Sequence, residues 1–189
     1  VLRGGVDTKL TPIGNLRRGA SAVFQKYQKY PLTLRENITA GDIQRKASDA
    51  ELDAVGEQAG FDAKDDCYPQ GYDTMLSREF DGVELSGGQW QRVAIGRGLF
   101  RQHRLVALDE PTAAIDPLEE TRIYNRFAEI SRGKTAIIVT HRLGSVRMAD
   151  RIIVMKDGHL AEQGTHEELL AASGEYAGIY QSQRQWYEA

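Results

Sequence analysis

Apolar residues come in short blocks that alternate with longer amphipathic stretches. Ser21-Ala22-Val23-Phe24, Leu105 to Leu108 and Thr135 to Val139 are β-rich runs, short enough to read as strands. Between the first two, helical patterns dominate from about Leu34 to Phe100, broken around Pro69-Gln70-Gly71. Thr33 with Glu36 and Ser48 with Glu51 have capping-box spacing, which predicts helix starts at both places. An amphipathic helix is predicted from about Pro117 to Ser131, with proline in its first turn. Arg151 to Met155 and His159 to Glu162 flank Asp157-Gly158, a hairpin signal. Thr165 and Glu168 cap a last helical region. Strands alternating with helices predict an α/β domain with a mostly parallel sheet. The helical block divides it, giving one domain with an α/β core of about 1–32 and 101–189 and an inserted helical subdomain of about 33–100.

Composition narrows the function classes. The 189 residues suit one domain, and 41% hydrophobic with 27% charged residues is ordinary globular usage. A net charge of -3 supplies no global basic field to recruit nucleic acid or anionic lipid. One cysteine, Cys67, excludes an internal disulfide and fits a reducing compartment. The most apolar runs, Leu105 to Leu108 and Ala136 to Val139, are too short to cross a bilayer, and no signal-peptide pattern is visible. Membrane association is therefore expected to be peripheral or through a segment outside this chain. The chain opens with Val1 rather than Met, which reads as a hint of truncation.

Candidate chemistry begins at the strand ends. Phe24 is followed by Gln25, Leu108 by Asp109-Glu110, and Val139 by Thr140-His141. Open parallel sheets bind ligands beyond the carboxyl ends of their strands. If the three strands are neighbours, an amide, two carboxylates and an imidazole converge, a set suited to hydrolysis of a metal-bound phosphate. Any one polar residue past a strand is more often a loop residue or cap. Asp109-Glu110 stands apart, because adjacent carboxylates after a buried strand invite repulsion unless a cation is present. A second constellation is Leu85-Ser86-Gly87-Gly88-Gln89 before a helical pattern. Ser86 suits an N-cap, and the glycines let a phosphate approach backbone N–H groups at a helix N-terminus. Ser-Gly-Gly alone would be an ordinary turn into a helix.

Together these residues resemble the nucleotide-binding domain of ABC transporters, over almost the whole chain. Leu85 to Gln89 resembles the family signature, and Arg104 to Asp109 with Glu110 resembles the Walker B strand and its glutamate. Pro111 to Asp116 resembles the D-loop, with Ala113 and Ile115 where serine and leucine are usual. Thr140-His141-Arg142 resembles the switch region, and Val23-Phe24-Gln25 the Q-loop. The resemblance implies a P-loop NTPase-like fold that binds and hydrolyses ATP with Mg²⁺. By it, Asp109 and Gln25 would hold the metal, Glu110 would act on water and His141 would contact the γ-phosphate. Ser86, Gly87, Gly88, Gln89 and Asp116 would bind nucleotide, the signature residues reaching the ATP of a second ABC domain in a head-to-tail dimer. Tyr30 to Ile38, His141 to Asp150 and Asp157 to Leu169 are similar to exporters, implying a transmembrane-domain partner and a place at the cytoplasmic face of the cell membrane. Lys26 to Tyr30 would then lie near a coupling helix, or Tyr27 and Tyr30 cover the edge of the helical subdomain. Glu79 and Phe80 are further candidates to face the transport domain.

The Walker A loop has no counterpart among the 24 residues before Gln25, and Val1 to Asp7 resembles the strand and turn that follow it. Ala128 to Thr135 fits a loose P-loop pattern, yet a helix precedes it and a strand follows, the reverse of what phosphate binding needs. It reads as a helix end and turn. These 189 residues alone are therefore expected not to hydrolyse ATP. Two other classes compete. A soluble ABC protein acting on DNA or the ribosome is disfavoured, because only 59 residues lie between Gln25 and Leu85, too few for a long coiled-coil insertion. A short non-catalytic ABC-like chain could instead lend its signature motif in trans.

Overall fold

The computed structural model describes residues 2–3, 6–14, 19–110, 124–125, 127–128, 131, 133–140 and 146–187. They fall into two compact units, 1–139 and 140–189. In the first, β1 (Leu2–Arg3) and β2 (Val6–Asp7) form a small antiparallel ladder. A three-stranded parallel sheet follows, in the order β3 (Ala20–Val23), β4 (Leu105–Asp109), β5 (Thr135–Val139). The three apolar runs of the sequence are thus neighbours. The first strand sits one residue earlier than its apolar run suggested.

Between β3 and β4 lie three helices, α1 (Leu34–Thr39), α2 (Asp49–Ala59) and α3 (Gly87–Phe100). Each starts at a full capping box, on Thr33 with Glu36, Ser48 with Glu51 and Ser86 with Gln89. Reciprocal side-chain and backbone bonds there satisfy two donors that a helix N-terminus otherwise leaves orphaned. Helix α2 turns Leu52, Val55, Gly56 and Ala59 inward and ends at Gly60, whose φ of 86° is left-handed. Residues 60–86 depart from the helical reading. Their only helical turns are 3₁₀ turns at Gly71–Asp73 and Arg78–Phe80. Phe61, Ala63, Tyr68, Tyr72 and Leu76 are buried from this irregular segment, so it contributes to the core without helical periodicity. One continuous core joins it to Leu34, Ile38, Leu52, Val93 and Phe100 and to Val23, Val106 and Leu108 of the sheet.

The Pro117–Ser131 helix lies mostly outside the described residues, which show helix at 124–125 and 127–128. Gly133 then turns with a φ of 74° two residues before β5 begins at Thr135. That is the helix-then-strand order that disposes of a P-loop at 128–135.

Among its described residues, the second unit contains a hairpin and two helices. Strands β6 (Ile152–Lys156) and β7 (His159–Gly164) pair antiparallel around Asp157-Gly158, both at positive φ, as a type I′ turn requires. Helix α4 (His166–Ala172) begins at a fourth capping box, Thr165 with Glu168, and α5 (Glu175–Tyr187) follows. Glu162 accepts the N–H groups of Glu175 and Tyr176 at 2.8 and 3.0 Å, placing a carboxylate at the positive end of α5. Ile152, Val154, Leu169 and Tyr176 form its core. Among the described residues no helix is long and apolar enough to cross a membrane.

Candidate functional site

The register of the parallel sheet fixes the strand-end chemistry. Val23 pairs with Leu108, and Asp109 with Val139, so all three strands finish at one edge. Gln25 and Glu110 each lie two residues past the Val23–Leu108 pair, and Thr140 one residue past Val139. Gln25 is exposed, while Asp109 and Glu110 are half-buried. Glu110 has a φ of 43°, in the left-handed region that a non-glycine residue enters at a cost. Its N–H donates to the Val139 carbonyl at 3.0 Å. This bond carries the β4–β5 ladder one residue beyond Asp109 and pins the strained residue. His141 and Asp116, with the rest of Pro111 to Asp116, lie outside the described residues.

Among the described residues no group of three His, Cys, Asp or Glu side chains is gathered for a metal. Asp109 with Gln25 is a sparse oxygen set. Mg²⁺ is commonly held by such sets, through one or two side chains, with water and phosphate oxygens completing its shell.

The second constellation forms at the start of α3. Ser86 is the N-cap: its Oγ accepts the Gln89 N–H at 3.3 Å, and Gln89 Oε1 accepts the Ser86 N–H at 2.8 Å. The Gln89 carboxamide oxygen is thereby committed to the cap, leaving its NH₂ as the donor end. Ser86 and Gly87 are exposed, Gly88 and Gln89 half-buried. A Cβ added at Gly87 or Gly88 would meet no atom within 4 Å. The fold of this chain therefore does not itself demand glycine at these positions. An incoming group that must reach the backbone would.

Three residues with no role in the sequence-based site tie its two halves together. The Tyr27 hydroxyl donates to the Gly87 carbonyl at 2.7 Å, linking the segment after Gln25 to the first turn of α3. Arg97, further along α3, donates to the Gln28 carbonyl at 3.1 Å and to the Asn37 carbonyl and Oδ1 at 2.8 Å each. It also lies 4.4 Å over the Tyr30 ring. Asn37 is fully buried, and its NH₂ lies 3.1 Å from the carbonyls of Tyr30, Leu32 and Thr33. Burial pulls the Arg97 guanidinium below its ordinary pKa, with Tyr30 acting against the shift, and pushes the Tyr27 phenol up. Tyr27 and Tyr30 thus do cover the edge of the helical block, as one of the two readings expected. The available signal for Arg97 was a cation between Gly96 and Gly98 in an otherwise apolar stretch of helix.

Comparison with known proteins places this arrangement. The family model described as ABC transporter matches residues 1–113. A subtilin transport ATP-binding protein of Bacillus subtilis is 36% identical over 184 residues, 97% of this chain and 30% of that protein. An ATP-dependent lipid A-core flippase of Pseudomonas putida is 39% identical over 180 residues, 95% of this chain and 29% of that protein. The structure of a bacterial Atm1-family ABC exporter with ATP bound superposes with a TM-score of 0.83 at 34% identity, covering 95% of this chain and 31% of that one. The chain thus spans about 30% of the length of the relatives it matches. With the family model covering more than half of its length, this chain belongs to the ABC transporter family.

Proposed function

We propose that this chain is part of the ATP-hydrolysing domain that powers an ABC exporter. The observation that carries the reading is the parallel register that ends β3, β4 and β5 at one edge, with Asp109 as the last residue of β4 and Gln25 and Glu110 just beyond. Bound Mg-ATP supplies the phosphoryl group whose transfer to water drives transport. Asp109 and Gln25 hold the metal from the sheet edge. Glu110, fixed by its backbone bond to Val139, orients the attacking water and takes its proton. His141 contacts the γ-phosphate, and Asp116 belongs to the nucleotide site. Ser86, Gly87, Gly88 and the Gln89 NH₂ face the γ-phosphate of ATP held by a second ABC domain. Two such domains meet head to tail, so each site is built from both. Residues 33–100 act as the helical subdomain of a single domain and meet a transmembrane domain at the cytoplasmic face of the membrane.

The test is Mg-ATPase activity of the full-length protein with Glu110→Gln. General-base loss should lower turnover by about 10²–10⁴-fold while ATP binding persists. Undiminished turnover would remove Glu110 from the reaction. The 189 residues expressed alone contain no Gly-rich loop followed by Lys and Ser or Thr upstream of Gln25, and are expected to show no Mg-ATP turnover. Measurable activity from them would contradict that expectation and leave the ATPase reading standing.

A further inference from the structure

The bonds between the segment after Gln25 and α3 form a strap with two anchors. At one end the Tyr27 hydroxyl holds the Gly87 carbonyl, at 2.7 Å. At the other, Arg97 grips the Gln28 carbonyl and both oxygens of Asn37, and Asn37 grips the carbonyls of Tyr30, Leu32 and Thr33. Gly87 and Arg97 are ten positions apart, about 15 Å along the helix axis. A short segment held at two such separated points cannot slide or pivot on α3 without breaking several bonds. Apart from the bond of Arg97 to Asn37 Oδ1, the anchors are side-chain to backbone contacts, so they fix the chain path rather than the identity of the residues between them. Burial of Arg97 and Asn37 makes the second anchor costly to leave unpaired.

We propose that Tyr27 and Arg97 are positioning residues that strap the segment after Gln25 to the signature helix, so that Gln25 and the Ser86–Gln89 turn move as one piece. The proposal rests on the functional reading above, in which Gln25 serves one ATP and the Ser86–Gln89 turn the other. The strap then makes a shift of Gln25 at one site a shift of the turn presented to the second. Tyr27 acts through Gly87, without touching nucleotide.

The experiment compares Tyr27→Phe, Arg97→Lys and Gln25→Ala in the full-length protein, by amide hydrogen exchange and by ATPase kinetics. Losing the phenol bond should speed exchange across 85–91 about fivefold, the effect of one lost hydrogen bond, and leave α2 unchanged. Arg97→Lys keeps the charge but loses the fork, and should speed exchange across 28–38. Tyr27→Phe should lower kcat about fivefold with KM for ATP unchanged. In the Gln25→Ala background it should add little, because the coupling is already cut. Unchanged exchange at 85–91 in Tyr27→Phe overturns the strap. Additive kcat losses, or exchange raised evenly through the helical block, overturn the coupling and leave Tyr27 a packing residue. If the unaltered protein has no ATPase activity, the functional reading fails, and the exchange data still decide whether the strap exists.

Discussion

At the N-terminal end of α3, Gly87 and Gly88 face open space, and a Cβ on either would touch nothing within 4 Å. At the C-terminal end of the same helix, a Cβ on Gly98 would lie 2.5 Å from Val23 Cγ2, and one on Gly96 would lie 2.9 Å from Phe61 Cε1. One pair leaves the backbone open to something from outside, and the other lets the helix lie against β3 and the irregular segment. The Ser21 hydroxyl, donating to the Gly98 carbonyl at 2.7 Å, confirms how closely strand and helix approach. Glycine in a helix costs up to about 1 kcal/mol relative to alanine, and the two ends of α3 incur it for different reasons. The same residue type thus leaves open backbone at one end, where the proposed phosphate contact lies, and makes a packing seam at the other, and only the neighbours of the missing Cβ tell them apart.

The difference can be broken in order of expected effect. Gly88→Ala in the full-length protein should lower ATPase activity on the order of 10²-fold, as loss of backbone access to a phosphate would. Its melting temperature should hold or rise by a few degrees, because alanine is the better helix former. A large fall in melting temperature would show that the open end is a packing position after all. Gly98→Ala should do the reverse, costing about 1–3 kcal/mol of stability by overpacking, read as a drop in thermal or denaturant midpoint. An unchanged midpoint would mean the seam relaxes freely. Ser86→Ala removes the N-cap and should cost about 1 kcal/mol, together with part of the turnover, since Ser86 serves both the cap and the proposed site. Stability loss without any activity loss would confine Ser86 to capping.

The smallest effect lies just past the packing end. Burial holds the His103 imidazole below its ordinary pKa, offset in part by its contact with the Arg101 carbonyl. A histidine depressed in the folded state gives stability that is complete above the unfolded pKa near 6.5 and is lost as pH falls through it. His103→Gln should therefore flatten the decline in midpoint between about pH 7 and 5. An identical slope in the variant would rule the imidazole out as its source.

What the sequence made legible was local. Capping boxes are written within four residues, so the starts of α1 and α2 at Thr33 and Ser48 and the cap of α4 at Thr165 were readable. The Asp157-Gly158 hairpin is a two-residue signal, and the strands announced themselves by compact apolar runs. Gln25, Asp109 and Glu110 were singled out because a strand end is a local feature, and the sheet order puts all three at one edge. Residues 60–85, apart from the break read around Pro69-Gln70-Gly71, were misread as helical because Phe61, Tyr68, Tyr72 and Leu76 fill the core at uneven spacing, which periodicity cannot register. Arg97, and the bond from Tyr27 to Gly87, were missed for a different reason. Their partners Gly87, Asn37 and Gln28 stand 60 to 69 positions away, and nothing within either short segment names the other.

The pairing of Ala20 with Leu105 carries a kinetic consequence. Eighty-five positions separate these partners, and the whole helical insert lies between them. Closing so long a loop is entropically expensive unless the intervening chain has already collapsed. Helices α1 to α3, with their locally encoded starts, are the part able to condense first and bring the two strands within reach. We therefore expect the β3–β4 ladder to acquire exchange protection after α3 during refolding. Pulse labelling that protects Ala20–Val23 before Gly87–Phe100 would reverse that order.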